Sequence, residues 1–198
     1  NQSDKEIADY TKAIEINPQD AKAYNNRGVS YQQLNQIDQA IEDYARAIEI
    51  NPPDADAYNN RGVTYGRLKQ WDLALQDYTK AIELQPQHAK AYVNRGLAYG
   101  NLNQFDRAIQ DYTKAIEIDL HYADAYYNRG IAFGMVNQWN REIEDYTKTI
   151  GINPEYLEAY YNRGNTYLKL NQDHLAIVDY TRVVEIDPYY AVAYVNRG

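Results

Sequence analysis

Apolar and polar positions follow one another along this chain with a helical step, and the pattern restarts every 34 residues. In the first complete unit, Ala23, Tyr24, Gly28, Tyr31 and Leu34 recur at three- and four-residue intervals, which is one face of a helix. Asn35-Gln36 interrupts that face. A second helical stripe then runs through Ile37, Ala40, Ile41, Tyr44, Ala47 and Ile48. Asp38 stands at its start, where a carboxylate suits exposed amides and the helix dipole. Asn51-Pro52 closes it, because proline fixes its own φ and drives the preceding residue away from helix. Pro86, Pro154 and Pro188 repeat the stop, and Leu120 replaces it once.

The period is exposed most plainly by the triplet Asn-Arg-Gly, which begins at Asn26, Asn60, Asn94, Asn128, Asn162 and Asn196. Complete repeats therefore run 21–54, 55–88, 89–122, 123–156 and 157–190, within one array over 1–198. Residues 1–20 form the second helix of an earlier repeat, and 191–198 open a further one. Two helices joined by two or three residues lie antiparallel, and neither buries its apolar face without stacked neighbours. The predicted fold class is all-α, a solenoid of antiparallel helix pairs. Gly28, Gly62, Gly96, Gly130 and Gly164 fall inside first helices, where glycine costs about 1 kcal/mol against alanine. Their recurrence implies close helix approach, with Tyr44, Tyr78, Tyr112, Tyr146 and Tyr180 as the large partners.

The length of the repeat, with Tyr24, Gly28, Tyr31, Ala40, Tyr44, Ala47 and Pro52 in register, resembles the tetratricopeptide repeat (TPR) family over essentially the whole chain. Arg27 stands where that family usually has leucine. The resemblance implies a right-handed superhelix with first helices on its concave side, and protein or peptide binding as the usual work.

Composition narrows the partners. A formal charge of −8 and a pI near 4.9 argue against nucleic acid, since few phosphates could be neutralised. No apolar run reaches the roughly 18 residues of a membrane-spanning helix. The 198 residues include no cysteine, which excludes disulfides and thiolate metal sites. Composition fits a soluble protein, with a cytoplasmic setting only as a default. His88, His121 and His174 take unrelated places in the repeat and are read as solvated; no metal, cofactor or catalytic arrangement is expected.

The asparagines Asn26, Asn60, Asn94, Asn128 and Asn162 flank the core register and are expected to face the groove. They are similar to an asparagine ladder in a TPR-containing O-GlcNAc transferase, which implies a grip on the backbone of an extended polypeptide. An amide suits this, offering one acceptor and two donors; the other reading is that it solvates a packed seam. Five rungs at about 1 kcal/mol each hold a ligand only at millimolar to sub-millimolar level, so side-chain anchors are needed.

Tyrosine supplies candidates. Of 22 Tyr, sixteen fill three core registers, and the six extra ones (Tyr122, Tyr127, Tyr156, Tyr161, Tyr189 and Tyr190) lie in the C-terminal half. Tyr127, Tyr161, Tyr122 and Tyr156 border the ladder, as anchors or as packing over the turns between repeats. Gly66, Gly100 and Gly134 either deepen the groove or mark a frayed helix end.

Arg27, Arg61, Arg95, Arg129 and Arg163 recur as strictly as Asp43, Asp77, Asp111 and Asp145 (with Asp9 and Asp179), and predict ion pairs between neighbouring helices. Capture of an acidic ligand is the alternative, which the net charge disfavours. The two-Lys carboxylate clamp of heat-shock chaperone-binding TPR proteins is absent: its lysine places hold Asn25, Asn59, Val93, Tyr127 and Tyr161, and the places one turn later hold Val29, Val63, Leu97, Ile131 and Asn165. Glu142, like Glu6, replaces the alanine of other repeats, and a carboxylate there must be paired or must splay the helices; with Thr149 and Gly151 it marks the fourth repeat as the softest.

Three functions remain open at this level. The first is a non-enzymatic scaffold binding an extended peptide or partner segment. The second is a fragment of a longer array that stacks head to tail, since 191–198 and 1–20 together supply 28 of 34 residues. The third is the targeting arm of a larger enzyme.

Overall fold

The computed structural model describes residues 2–198, all of whose regular elements are helices. The chain divides into two compact units, up to Ala98 and from Tyr99. The first holds α1 (Gln2–Ile16), α2 (Ala21–Gln33), α3 (Ile37–Ile50), α4 (Ala55–Arg67), α5 (Trp71–Leu84) and most of α6 (Ala89–Asn101). The second holds α7 (Phe105–Ile118), α8 (Ala123–Met135), α9 (Trp139–Ile152), α10 (Leu157–Lys169), α11 (Asp173–Ile186) and the short α12 (Ala191–Arg197).

In the first unit α2 packs on α3 and α4 on α5, with α1 against α2 and α3 against α4. In the second, α8 packs on α9 and α10 on α11, while α7, α9 and α11 each lie against the helix that follows. Within each unit the architecture is thus a run of helix pairs, with α3 and α9 each shared between its own partner and the next repeat.

The turn inside each pair explains the sharp reversal. Asn35, Lys69, Asn103, Asn137 and Asn171 all take positive φ, between 57° and 60°. The Asn35 amide donates to Gln32 O at 3.2 Å and the Gln36 amide to Tyr31 O at 2.9 Å, and the same two bonds recur in the other four turns. This is the Schellman arrangement, in which a left-handed residue lets the chain satisfy the last carbonyls of the first helix. Asparagine tolerates that backbone best among residues with a side chain.

The turns before α2, α4 and α6 cap those helices with a side chain, whereas Tyr122, Tyr156 and Tyr190 stand at the same place before α8, α10 and α12 without a side-chain cap bond. Asp20 and Asp54 accept the amides of Ala23 and Ala57, both at 3.0 Å. At the matching place His88 does the same work, its Nδ1 accepting the Ala91 amide at 3.2 Å while Nε2 meets Asp56 Oδ1 at 3.1 Å. The sequence reading of His88 as a solvated histidine is therefore corrected: its ring is buried in the cap, whereas His121 and His174 are exposed.

The second helices supply the core. Ala40, Ala74, Ala108 and Ala176 are fully buried, as are Tyr44 and Tyr180. The rings lie against the first-helix glycines: a Cβ at Gly28 would stand 2.8 Å from Tyr44 Cε1, one at Gly130 2.9 Å from Tyr146 Cε1, and one at Gly164 2.9 Å from Tyr180 Cε1. No Cβ fits at such distances, so glycine is required wherever this tyrosine lies flat on the first helix.

Candidate functional site

The conspicuous polar construction begins with the arginines. In the first unit, Arg27 on α2 sets its fork on Asp43 of α3, Nε to Oδ2 at 2.7 Å and NH2 to Oδ1 at 2.8 Å. Its NH1 donates to Thr11 of α1 at 3.0 Å. The rings of Tyr24 and Tyr31 flank the guanidinium at 5.6 and 5.7 Å. Arg61 repeats the fork on Asp77 at 2.8 Å for both bonds, between Tyr58 and Tyr65, but Ala45 stands where a threonine would accept NH1. Arg95 NH1 donates to Thr79 at 3.2 Å beside the Tyr92 ring.

In the second unit, Arg129 forks onto Asp145 and reaches Thr113 at 3.1 Å, between Tyr126 and Phe133. Arg163 forks onto Asp179 and reaches Thr147 at 2.8 Å, between Tyr160 and Tyr167. Asp111 and Asp145 are buried, as are Asp43, Asp77 and Asp179. Hydrogen bonding to Asp43 and Asp77 raises the pKa of Arg27 and Arg61 above its ordinary value, so these guanidinium groups stay charged. Arg27, Arg129 and Arg163 thus each join three helices, and spend on the protein the donors an acidic ligand would need. Sequence reasoning missed the threonines and the aromatic flanks, although both stand at fixed offsets from the arginine.

The asparagines lie one residue earlier, half-buried. Their amides are tied to the preceding repeat by a bond that sequence reasoning did not foresee. Asn60 Nδ2 donates to Asn25 Oδ1 at 3.2 Å, and Asn94 Nδ2 to Asn59 Oδ1 at 2.8 Å. In the second unit the acceptors are tyrosines: Asn162 Nδ2 donates to Tyr127 OH at 3.0 Å and Asn196 Nδ2 to Tyr161 OH at 3.5 Å. Asn128 instead bonds its own helix at Asp124 O, 2.7 Å away. Asn26 is half-buried on α2. Through these bonds the asparagines act structurally, stitching successive first helices together. The same bonds fix which way each amide points.

The tyrosines near the ladder are engaged with one another. The Tyr127 ring lies 5.8 Å from Tyr146 and 4.9 Å from Tyr156, whose hydroxyl donates to Asp124 Oδ1 at 2.9 Å. Tyr161 lies 6.0 Å from Tyr180 and 5.3 Å from Tyr190. Tyr122 is half-buried at the start of α8. Where the first unit stitches with Asn25 and Asn59, the second uses an aromatic row whose hydroxyls accept the amides.

One turn after the asparagines the face is apolar: Val29 and Val63 are half-buried, and Leu97 and Ile131 are exposed. Among the described residues no group of three or more acidic or histidine side chains is arranged to hold a metal ion. No described helix is long and apolar enough to cross a membrane.

No curated protein sequence matches this chain. Solved structures do. YrrB, described as a TPR protein with an unusual peptide-binding site, is 22% identical, with a TM-score of 0.74 over 94% of this chain and 96% of that one. MamA is 26% identical, with a TM-score of 0.76 over 83% of this chain and 96% of its own. Pseudomonas aeruginosa pilF is 21% identical, with a TM-score of 0.81 over 89% and 80%. These likenesses place the fold with TPR solenoids, a fold suited to scaffolds for protein–protein interaction. The tetratricopeptide repeat family model matches residues 21–54, 55–88, 89–122 and 157–190, and a second TPR model matches 4–35. Residues 123–156, with Glu142, Thr149 and Gly151, fall between the matched segments. Matched over more than half its length, the chain belongs to the tetratricopeptide repeat family.

Proposed function

We propose that this protein is a non-enzymatic interaction scaffold that holds an extended polypeptide along the asparagine-bearing face of its first helices. The observation that carries this reading is the fixed orientation of half-buried amides whose carbonyl oxygens remain open. Asn94 and Asn162 each spend one N–H on the preceding repeat, while their Oδ1 atoms accept no hydrogen bond from any described residue. Such an oriented acceptor, present at Asn94 in the first unit and at Asn162 in the second, suits the N–H groups of an extended backbone, which present themselves at regular intervals whatever the side chains. The stitch reduces the rotamer entropy that binding would otherwise cost.

Affinity needs more than these contacts, and the apolar step one turn later offers it. Val63 and Leu97 in the first unit, and Ile131 in the second, supply ledges for ligand side chains. The edges of Tyr127 and Tyr161 border the same face, with Tyr122 and Tyr156 behind them. The arginines and their aspartates support the site without touching the ligand.

Selection of binders from a random-peptide display library tests this reading. Peptides selected on the wild type are expected to lose at least tenfold in affinity on the Asn60→Ala/Asn94→Ala variant. N-methylation of two or three backbone amides of a selected peptide is expected to weaken it similarly, a readout that a merely structural asparagine would not move. Peptides that bind the double variant equally well and tolerate N-methylation throughout would sink the proposal.

A further inference from the structure

The fourth repeat contains a carboxylate that the fold does not require. Glu142 on α9 stands where Ala40, Ala74, Ala108 and Ala176 pack in other repeats. Its side chain fits because Gly134 on α8 has none: a Cβ there would lie 2.6 Å from Glu142 Oε1 and 2.9 Å from Oε2. Glu142 as a whole is only 6% exposed. Oε1 accepts the Tyr146 hydroxyl at 3.1 Å, whereas Oε2 is buried with no hydrogen-bond partner. The hydroxyl of Thr166, facing it from α10, sends its hydrogen to Asn162 O at 3.0 Å. In the first repeat the comparable Ser30 hydroxyl does donate to Glu6 Oε2, at 3.0 Å. Against the upward push of burial, the Thr166 hydroxyl is near enough to lower the pKa of Glu142, yet Oε2 keeps no direct hydrogen-bond partner.

Glu142, with this orphaned oxygen buried beneath the surface, is part of the lining of an open pocket of about 260 Å³ between α8 and α10, floored by α9. Asn162 lines the same pocket, and its Oδ1 is also unaccepted, the amide being fixed on Tyr127. Ile131 and Met135, 37% and 57% exposed, line it on the α8 side. Lys169, on the α10 side, rests its ammonium over the Trp139 ring at 4.8 Å rather than on Glu142. The pocket therefore has an unpartnered carboxylate oxygen just beneath its floor and an amide oxygen in its wall, beside an apolar edge, in a chain with a net charge of −8. A group that donates several hydrogens and accepts none completes it. An ammonium does this on a single carboxylate oxygen. A guanidinium fork seeks both oxygens, and Tyr146 already holds one. A four-carbon stem suits the apolar edge.

We propose that this pocket binds the ammonium of a lysine side chain on the polypeptide held along the first helices, with Glu142 Oε2 and Asn162 Oδ1 as its acceptors. This rests on the peptide-binding reading above and adds a residue preference at the fourth repeat.

The test uses n-butylammonium chloride as a probe, followed by the side-chain amide signals of Asn162 and Asn165 and by the ¹³C signal of the Glu142 carboxyl. Saturable shifts at about millimolar probe are expected for the wild type. At least tenfold weaker response is expected for Glu142→Gln and for Glu142→Ala, the second of which restores the residue of the other repeats and so keeps the fold. The neutral isostere 1-butanol should give no saturation, and n-butylguanidinium should bind less tightly. Equal titration of wild type and Glu142→Gln, or equal binding of 1-butanol, overturns the proposal. In a second arm, a lysine-containing peptide selected on the wild type is compared with its norleucine analogue. Indifference to that exchange overturns the lysine assignment while leaving peptide binding intact. Butylammonium binding without any peptide binder sinks the scaffold reading and leaves the pocket standing.

Discussion

A Cβ on Gly62 would lie 2.7 Å from Tyr78 Cε1 and 3.3 Å from Ala74 O, so the two helices of this pair touch backbone to ring. Four residues on, a Cβ on Gly66 would meet only Tyr78 OH at 3.5 Å and Trp71 Cζ3 at 3.6 Å, which is ordinary contact. The two glycines of α4 should thus respond oppositely to the same change. Gly62→Ala is expected to destabilise by about 2 kcal/mol, because overpacking outweighs the gain in helix propensity. Gly66→Ala is expected to stabilise by up to about 1 kcal/mol. Urea unfolding of both variants decides the matter, and a shared sign would contradict the geometry.

The Arg61–Asp77 pair should behave as one unit. Its side chains are 20% and 8% exposed, and the fork leaves neither oxygen of Asp77 free. Removing one partner strands a charge in the interior, so Arg61→Leu and Asp77→Ala should each cost about 3–5 kcal/mol. The double variant, whose leucine is the residue usual in the family, should cost far less than the sum. A double-mutant cycle in urea measures the coupling; additive single effects would show that the pair contributes nothing as a pair.

Much of this was legible in the residues, and the reasons are physical. Periodicity located the helix pairs because a stripe must face a core. Gly28 and Tyr44 were readable as partners because a costly residue recurred beside a bulky one. What escaped were contacts set by geometry between repeats. The bond from Asn60 to Asn25 spans 35 residues, and no local propensity signals it. The Thr11 and Thr79 hydroxyls look like surface positions until Arg27 and Arg95 reach them. His88 was misread for a different reason: one histidine among aspartate caps looks like drift, although its Nδ1 reproduces the acceptor that Asp20 and Asp54 provide. A carboxylate in an alanine register was visible at Glu142. Its pairing with the space over Gly134 required coordinates.

Lys69 is the odd member of the five reversing turns. It holds φ at 57° where asparagine stands in the other four. A left-handed backbone costs an ordinary side chain about 1–2 kcal/mol, and asparagine or glycine less. Lys69→Gly is expected to raise stability by about 0.5–1 kcal/mol, and Asn103→Lys to lower it by a similar amount. Thermal unfolding of the pair of variants checks both directions, and a neutral result for both would mean that the turn relaxes.

Glu142 should give stability a pH dependence of definite sign. Burial pushes its pKa above the usual carboxylate range, against the opposing pull of the Tyr146 and Thr166 hydroxyls and of Lys169. Tyr146 faces it from α9 and Lys169 from α10, while Gly134 on α8 brings no group at all. A carboxyl whose pKa is raised on folding binds its proton more tightly in the native state. Its favourable contribution is therefore complete below the unfolded value, about 4.3, and is lost as pH rises through the folded one. Glu142→Ala removes this loss together with the orphaned oxygen, and should stabilise by about 1 kcal/mol at pH 7.5 and by less at pH 4. The comparison is made by urea unfolding at both pH values, where every other titrating group is shared and cancels. An equal effect at both would mean that Glu142 does not titrate differently on folding. The expected gain in stability should come with loss of butylammonium binding, the pattern of a site that holds an unsatisfied charge for a ligand rather than for the fold.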